Sequence, residues 1–256
     1  MNWRRAWRRV RLVWVTLGIS ATVVFVTWSL IAYRASAEAH AAITSDSTVA
    51  VDHSEGVWKF TPRKLSRSAP ALVFFPGALV DPVAYAPLTR AAAAAGFPAY
   101  IVELPRRGAF GGAEGAELEK RLDDLLDQSG TPPRWFAAGH SRGGVVASDV
   151  AAEGRTGLAG LILIGTSHPR DVDLSTLLIP VTKIVGTRDG LASREEVEAN
   201  RSKLPPSTQW VWVEGGNHSQ FGWYGFQPGD RRASVDASSQ HRQLIQAVLL
   251  ALSNPD

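Results

Sequence analysis

The sequence predicts a single α/β domain in which helices cover both faces of a mostly parallel, doubly wound sheet. Short, continuous apolar runs recur along the chain, as the buried strands of a parallel sheet require. Longer segments with helical periodicity alternate with these runs, and this alternation is typical of βαβ units. With 256 residues, 45% of them hydrophobic and 20% charged, the chain has the length and composition of one sizeable globular domain.

The N-terminal segment predicts a membrane-spanning helix. The run Leu12–Ala32 carries no charge, and about 20 helical residues suffice to cross a bilayer. Arginines at positions 4, 5, 8, 9 and 11 precede the run and a lone Arg34 follows it. The positive-inside rule therefore predicts a cytoplasmic N-terminus and an extracytoplasmic domain. The alternative is a secreted protein whose signal peptide is cleaved at Ala35-Ser36-Ala37, but the length of the apolar run favours an uncleaved anchor.

The predicted organisation has four parts. Residues 1–11 form a basic cytoplasmic tail, 12–33 the anchor or signal peptide, 34–56 an Ala- and Ser-rich spacer, and 57–256 the α/β domain. The tail accounts for the net charge of +3, because without its five arginines 22 of the 27 basic residues remain against 24 acidic ones. The domain therefore lacks the basic surplus that would indicate a nucleic-acid partner. The chain has no cysteine, which excludes disulfides, thiolate metal sites and a cysteine nucleophile.

Strands and helices are predicted in order along the domain. Val57–Phe60 alternates and predicts an edge strand. Further strands are predicted at Ala71–Phe75, Ala99–Val102, Trp135–Ala138, Leu161–Ile164, Val181–Val185 and Trp210–Val213. Helices are predicted at Tyr85–Ala95, Ala116–Gln128, Val145–Ala152, Glu195–Lys203 and Ser239–Leu252. The segment between Ile164 and Val181 is short, so we expect a minimal lid, or none, over the site.

The turn Gly139-His140-Ser141-Arg142-Gly143-Gly144 is the centre of the predicted site. A strand, a tight G-x-S-x-G turn and a helix form the context that makes a serine a nucleophile. Glycine tolerates the strained backbone of such a turn, which lifts the Ser141 hydroxyl clear of the sheet. The backbone N–H of Arg142 then lies at a helix N-terminus, where it can stabilise a developing oxyanion.

A serine hydroxyl needs a base, which is usually a histidine oriented by a carboxylate. His218 follows the last predicted strand, and the chain order serine, acid, histidine typical of such turns favours it over His168. The remaining histidines receive other interpretations: His40 and His53 lie in or beside the spacer, His140 structures the turn, and His241 is exposed on the last helix.

The acid and the second oxyanion donor are predicted from strand ends, because functional groups of parallel sheets collect in loops after the carboxyl ends of strands. Asp189 directly follows the strand Val181–Val185, with Asp171 and Asp173 as alternatives. The second donor is expected from the loop after Phe75, as the N–H of Ala78 or Leu79.

Four stretches resemble the α/β-hydrolase superfamily, and within it the fold-5 group described as dienelactone-hydrolase-like. They are Phe75–Pro82 with Tyr85, Gly139–Gly144, Gly186–Leu191, and Gly215–Gly222 running on to Asp230. The resemblance covers about residue 49 to the end and implies Ser141, Asp189 and His218 as nucleophile, acid and base. Two positions depart from the group: Arg142 stands where an apolar residue is usual, and Ala78 where glycine is usual. Dienelactone hydrolases resemble a cysteine-nucleophile design, so their substrate is not carried over to this cysteine-free chain.

Two groups of side chains near the predicted site leave open interpretations. The aromatic residues that follow His218 either line an acyl pocket or pack the last helix against the sheet: Phe221, Trp223, Tyr224 and Phe226. Arg106 and Arg107 lie on a strand-end loop, where solvated side chains are favoured over contact with a substrate carboxylate.

The combined prediction is a membrane-anchored serine hydrolase that cleaves a carboxylic ester or a lactone, small or lipid-like, through an acyl-enzyme. The mechanism requires neither a metal nor an organic cofactor. Two alternatives remain at this stage. The same triad would serve an acyltransferase, and the same scaffold would serve a non-catalytic, membrane-anchored binding module.

Overall fold

The computed structural model describes residues 3–64, 69–109, 111–127 and 133–254. Its centre is an eight-stranded sheet with the order β1-β2-β4-β3-β5-β6-β7-β8. The pairs β1–β2 and β2–β4 are antiparallel. The remaining pairs, from β4 through β3 to β8, are parallel. The strands are β1 (Val49–Ser54), β2 (Val57–Pro62), β3 (Ala71–Phe75), β4 (Ala99–Val102), β5 (Trp135–His140), β6 (Leu158–Ile164), β7 (Val181–Gly186) and β8 (Gln209–Val213).

Helices cover both faces of the sheet, as predicted. They are α1 (Trp3–Ala32), α2 (Ala37–Ala41), α3 (Ala86–Ala94), α4 (Ala116–Leu126), α5 (Arg142–Glu153), α6 (Arg194–Ala199) and α7 (Ala237–Ser253). Helices α2, α3 and α7 pack on one face, and α4 and α5 pack on the other. Successive side chains of β3 enter opposite cores, because strand residues alternate between faces: Phe74 joins the first core and Phe75 the second.

The predicted elements are present, with differences at their ends. Strands β3 and β4 have the predicted bounds, and β5 continues through Gly139 and His140 into the turn. The helix predicted from Tyr85 begins instead as a 3₁₀ turn, Pro82–Tyr85, which leads into α3. The helix predicted to end at Lys203 is divided into α6 and a 3₁₀ turn, Arg201–Lys203. Helix α4 is described to Leu126, and the predicted end at Gln128 lies outside the described residues.

The segment 34–56, expected to be a spacer, folds against the domain in this structure. Strand β1 pairs with β2 along its whole length, from Val49 opposite Pro62 to Ser54 opposite Val57. Val49 and Ala39 of α2 are both fully buried. The strand predicted at the edge is therefore second in the sheet, and β1 is the edge. The polar end of β1 hid this strand in the sequence, since Asp52, His53 and Ser54 break the apolar alternation.

Helix α1 lies outside the two cores. Within the described residues, Trp3–Ser29 is the one segment long and apolar enough to cross a membrane, and its side chains are exposed except that of Ser29. A membrane anchor and a signal peptide both satisfy this description. Residues 165–180, between β6 and β7, contain neither a helix nor a strand, so no lid domain is inserted there.

Candidate active site

The sharp turn between β5 and α5 carries Ser141 at the carboxyl edge of the sheet. Ser141 has a φ of 54°, a left-handed conformation that is uncommon and costly for a residue with a Cβ. Close backbone packing requires the neighbouring glycines. A Cβ at Gly139 would lie 2.0 Å from the Gly143 carbonyl oxygen, and a Cβ at Gly143 would lie 1.9 Å from the Phe75 carbonyl oxygen. The strained turn that the sequence predicts is therefore enforced by its neighbours on both sides.

Asp189 and His218 form a buried pair beside this turn. The Nδ1 atom of His218 lies 2.9 Å from Oδ2 and 3.2 Å from Oδ1 of Asp189, and each residue is 1% exposed. The Asp189 carboxylate also accepts the backbone N–H groups of Leu191 (2.8 Å) and Ala192 (2.7 Å). A carboxylate on Nδ1 fixes the tautomer of the imidazole and directs the lone pair of Nε2 away from the acid.

Ser141 and His218 line one cavity of about 200 Å³. The Nε2 atom of His218 is buried without a hydrogen-bond partner among the described residues. The Ser141 hydroxyl likewise has no hydrogen bond within the described chain, so serine and histidine share the cavity but are not bonded to each other. Hydrogen bonds at active sites are often long in unliganded proteins. The structure thus brings all three predicted residues to one edge of the sheet.

The alternative base and acids occupy different surroundings. His168 lines the same cavity, but its nearest carboxylate is that of Asp171, 3.7 Å away on an exposed side chain. Burial, assisted by the nearby charge of Arg170, lowers the pKa of His168 to about 4. Asp173 instead accepts the N–H of Ser175 within a turn. Only His218 combines burial with a buried carboxylate partner among the described histidines.

The loop after β3 lies directly beside the serine. A Cβ at Gly77 would lie 3.6 Å from the Cβ of Ser141. Of the two predicted donors on this loop, the Leu79 N–H is already used, since it donates to the Arg107 carbonyl at 2.7 Å. The N–H groups of Ala78 and Arg142 have no acceptor among the described residues, so Ala78 and not Leu79 is the candidate partner of Arg142.

Tyr85 connects this loop to the turn. Its hydroxyl accepts the Gly77 N–H at 3.1 Å and lies 2.8 Å from Nδ1 of His140. Burial raises the pKa of Tyr85 far above its ordinary value, and burial also holds the pKa of His140 well below its usual range. The phenol therefore stays protonated and donates to a neutral imidazole. The His140 ring in turn lies 4.5 Å from the His218 ring, centroid to centroid.

Asp230 is a site residue to which the sequence analysis assigned no role. Its carboxylate accepts the N–H groups of Gly190 (3.0 Å), His218 (3.3 Å) and Ser219 (2.8 Å). It also accepts the Ser219 hydroxyl at 2.7 Å. One carboxylate thus joins the loop that carries Asp189 to the loop that carries His218. The sequence contains one signal for this residue: Asp230 ends the long motif that continues after His218.

Gln240 holds the same histidine loop from the opposite side. The side chain of this fully buried residue of α7 accepts the Asn217 N–H at 3.0 Å and donates to the Asn217 carbonyl at 2.7 Å. The backbone next to His218 is therefore fixed by two side chains, Asp230 and Gln240.

The aromatic residues after His218 pack within the protein and do not line the cavity around Ser141. The Phe221 ring lies 5.7 Å from that of His140, and Trp223 lies 4.8 Å from His241. His241, expected to be exposed, is buried because Trp223 covers it, and burial lowers its pKa to about 4. Phe226 is the exception in this group and is 51% exposed.

The cationic side chains near the site differ in their pairing. Arg142 pairs with Glu114, and Arg107 lies 3.6 Å from Asp81. Lys183 of β7 is buried, donates to the His168 carbonyl, and has its pKa lowered by burial to about 7.

The sheet order, the strained serine turn and the short, lidless connections define an α/β hydrolase. Residues 71–242 match the family model described as the alpha/beta hydrolase family. The chain belongs to this family.

Solved structures share the fold at low sequence identity. A dienelactone-hydrolase-like promiscuous phosphotriesterase from metagenomic libraries is 21% identical, with a TM-score of 0.58 over 80% of this chain and 97% of that one. A putative dienelactone hydrolase from Klebsiella pneumoniae is 18% identical, with a TM-score of 0.56 over 77% and 92%. A mutant of the esterase rPPE is 17% identical, with a TM-score of 0.56 over 84% and 85%. No curated protein matches the sequence.

Proposed function

We propose that this chain is a membrane-anchored serine hydrolase that cleaves a carboxylic ester or a lactone. The observation that carries the proposal is the buried Asp189–His218 pair: His218 lines the same cavity as Ser141, and its Nε2 atom has no hydrogen-bond partner among the described residues. A polar ring nitrogen that is buried without a hydrogen-bond partner destabilises the folded protein, so we expect such an atom to serve a functional purpose. Accepting the proton of the serine hydroxyl is such a purpose.

The proposed mechanism has two halves. The Ser141 oxygen attacks the substrate carbonyl while His218 takes its proton, and the carbonyl oxygen becomes an oxyanion held by the N–H groups of Ala78 and Arg142. The bond to the leaving alcohol then breaks as His218 gives that proton to it, which leaves an acyl-enzyme. In the second half, His218 removes a proton from water and the water oxygen attacks the acyl carbon to form a second oxyanion. As this intermediate collapses, His218 gives the proton to the Ser141 oxygen, which releases the acid and restores the serine.

The N-terminal segment supports a proposal for the side of the membrane on which the reaction takes place. Helix α1 serves as an uncleaved anchor, residues 1–11 stay in the cytoplasm, and the hydrolase domain lies outside it. The cluster of arginines before the apolar run supports this orientation. The signal-peptide alternative exports the domain as well and differs in whether the domain stays tethered.

Labelling with a fluorophosphonate probe tests the nucleophile, because the probe reacts with activated serines. We expect label on the native chain, none on Ser141→Ala, and strongly reduced label on His218→Ala. Ser167→Ala is the matched control, since Ser167 lines the same cavity and its loss is expected to leave labelling unchanged.

Two results would contradict the proposal. Labelled Ser141→Ala protein would show that another serine reacts, and an unlabelled native chain would favour the binding module. Ester cleavage in the presence of alcohol acceptors then separates hydrolysis from acyl transfer, since a transferase yields mainly the new ester.

A further inference from the structure

We propose that the carboxyl edge of the sheet is held against the bilayer surface and that the substrate is an amphiphilic ester residing in that membrane. This inference rests on the proposed function, and it adds the location and the class of the substrate. The observations that carry it lie at the junction between helix α1 and the domain.

The end of helix α1 is bonded directly to the domain. The Ala32 carbonyl accepts the Gly225 N–H at 2.9 Å, and the Tyr33 carbonyl accepts the Asp81 N–H at 2.9 Å. Four residues after the helix ends, the Ser36 N–H donates to the Trp223 carbonyl at 2.8 Å. Because the apolar run extends to Ala32, no free linker separates the proposed anchor from the fold.

The two domain segments that form these hydrogen bonds with α1 are the ones that frame the site. Asp81 follows β3 and lies three residues beyond the proposed donor Ala78, and Trp223 follows β8 and lies five residues beyond His218. Strands β3 and β8 run parallel within the same sheet, so their carboxyl ends share one edge. Helix α1 consequently leaves the domain at the edge that carries Ser141.

The side chains at this junction suit a membrane interface. Tyr33 is buried and contacts Trp28 on the helix (5.6 Å) and Tyr224 on the domain (6.0 Å), both edge to face. Phe226, two residues after Tyr224, is 51% exposed. Aromatic rings concentrate at the boundary between hydrocarbon and headgroups. Arg34, directly after Tyr33, is exposed and has no ion pair among the described residues, so it is free to contact anionic headgroups.

A tether of this kind selects its substrate by position. The rigid junction holds the cavity within a short distance of the membrane surface, so an ester embedded in the lipid meets Ser141 at high effective concentration. A water-soluble ester gains nothing from the same arrangement. The two kinds of substrate therefore respond differently when the junction is separated from the anchor.

Depth labelling tests the location independently of activity. Because the chain has no cysteine, Phe226→Cys places a single environment-sensitive fluorophore on the carboxyl edge. Leu178→Cys is the matched control, since Leu178 is fully exposed and precedes β7 at the opposite edge. In vesicles of phosphatidylcholine and phosphatidylglycerol with nitroxide-labelled headgroups, we expect at least threefold stronger quenching at position 226. Equal quenching at both positions would overturn the proposal.

A linker insertion tests the substrate class in the full chain. A flexible segment of about 20 Gly and Ser residues between Ile31 and Ala32 keeps the hydrogen bonds of Ala32, Tyr33 and Ser36 to the domain. It separates these residues from the rest of the apolar run, including Trp28. The same segment inserted between Asn2 and Trp3 is the matched control.

We expect the first insertion to lower cleavage of a long-chain ester in the same vesicles by tenfold or more, while cleavage of a short soluble ester stays unchanged. Unchanged cleavage of both esters would overturn the inference. A native chain inactive on both esters would instead contradict the proposed function, and the quenching result would still decide the location.

Discussion

Asp230 shows how one carboxylate aligns the two loops that carry Asp189 and His218. It accepts N–H groups from the loops of Asp189 and His218 at the same time, and it touches neither the cavity nor Ser141. Its effect on catalysis is therefore expected through position, since displacements of about 1 Å can cost about 100-fold in rate.

The change Asp230→Asn tests this alignment. An amide keeps one acceptor oxygen but turns the other into an NH₂ donor that faces groups which are donors themselves, so we expect kcat on a short ester to fall about 10- to 100-fold with little change in KM. Asp236→Asn is the control, because Asp236 also accepts a backbone N–H (2.8 Å) but caps the exposed start of α7. An equal loss in both variants, or a loss matched by a lower Tm, would assign Asp230 a purely structural role.

Lys183 gives a prediction for the pH dependence of stability. Its pKa of about 7 in the fold lies below the value of about 10.4 expected when unfolded. Between these values the unfolded chain binds more protons, so the free energy of unfolding should rise with pH, by up to about 1.4 kcal/mol per unit. Below pH 7 both states are protonated and this contribution is constant.

Lys183→Met should remove that rise between pH 7 and 10, as measured by denaturant unfolding across the range. Lys203→Met is the control, because the ammonium of Lys203 also donates to a backbone carbonyl but from a less buried site. An undiminished slope in Lys183→Met would show that another group titrates in this window.

The sequence allowed some of these residues to be predicted and not others. Ser141, Asp189 and His218 follow strands in a fixed order, so periodicity and strand ends were enough to select them. The use of the Leu79 N–H by Arg107, and the bridging by Asp230, depend on how loops approach each other in space. No local pattern reports such contacts, and for that reason the choice between Ala78 and Leu79 had to wait for the structure.

At the scale of elements, the turn between β5 and α5 depends on glycine for space. At Gly143 an added methyl group would meet the Phe75 carbonyl, and both partners belong to rigid backbone. At Gly154, the other end of α5, an added methyl group meets no atom within 4 Å, although the φ of 66° is strained for alanine.

Alanine at these two positions should therefore have unequal effects. Gly154→Ala is expected to cost about 1 kcal/mol of stability and to preserve activity. Gly143→Ala must displace the loop after β3 or the turn, so we expect loss of probe labelling together with a larger drop in Tm. Normal labelling of Gly143→Ala would show that the turn has more room than the structure indicates.

Buried strands are easier to predict from the sequence than strands at the edge of the sheet. Strands β3 and β4 are continuous apolar runs and were placed correctly, because parallel strands buried on both faces leave an unmistakable pattern. Strand β1 lies where the sequence predicts a spacer, since only its pairing with β2 identifies it. Edge strands are partly exposed and carry polar residues, so their signal is weaker than that of central strands.

At the scale of the whole molecule, buried histidines predict sensitivity to acid. Burial lowers the pKa values of His168 and His241 to about 4, and it lowers that of His140 as well. Unfolded histidine titrates near 6.5, so between about pH 6.5 and 4 the unfolded chain binds more protons than the folded one. The stability that the neutral rings contribute is thus present above about pH 6.5 and is lost as the pH falls.

We expect the free energy of unfolding to decline over this range, and His241→Leu to make the decline shallower. His241 lies away from the cavity of Ser141, so the variant should keep its esterase activity. Unfolding curves at several pH values measure both effects, and an unchanged slope in His241→Leu would contradict the assignment.

The hydroxyl of Tyr85 binds the loop after β3 and the serine turn through a single oxygen atom. Neither segment can therefore be redesigned alone. If residues 77–81 are randomised while Tyr85 stays fixed, most variants will lose the hydrogen bond between the Gly77 N–H and the Tyr85 hydroxyl. Randomising position 140 alone will remove the hydrogen bond between Tyr85 and His140 in the same way. Laboratory evolution toward new acyl groups should vary positions 77, 85 and 140 together, because the Tyr85 hydroxyl joins all three by hydrogen bonds.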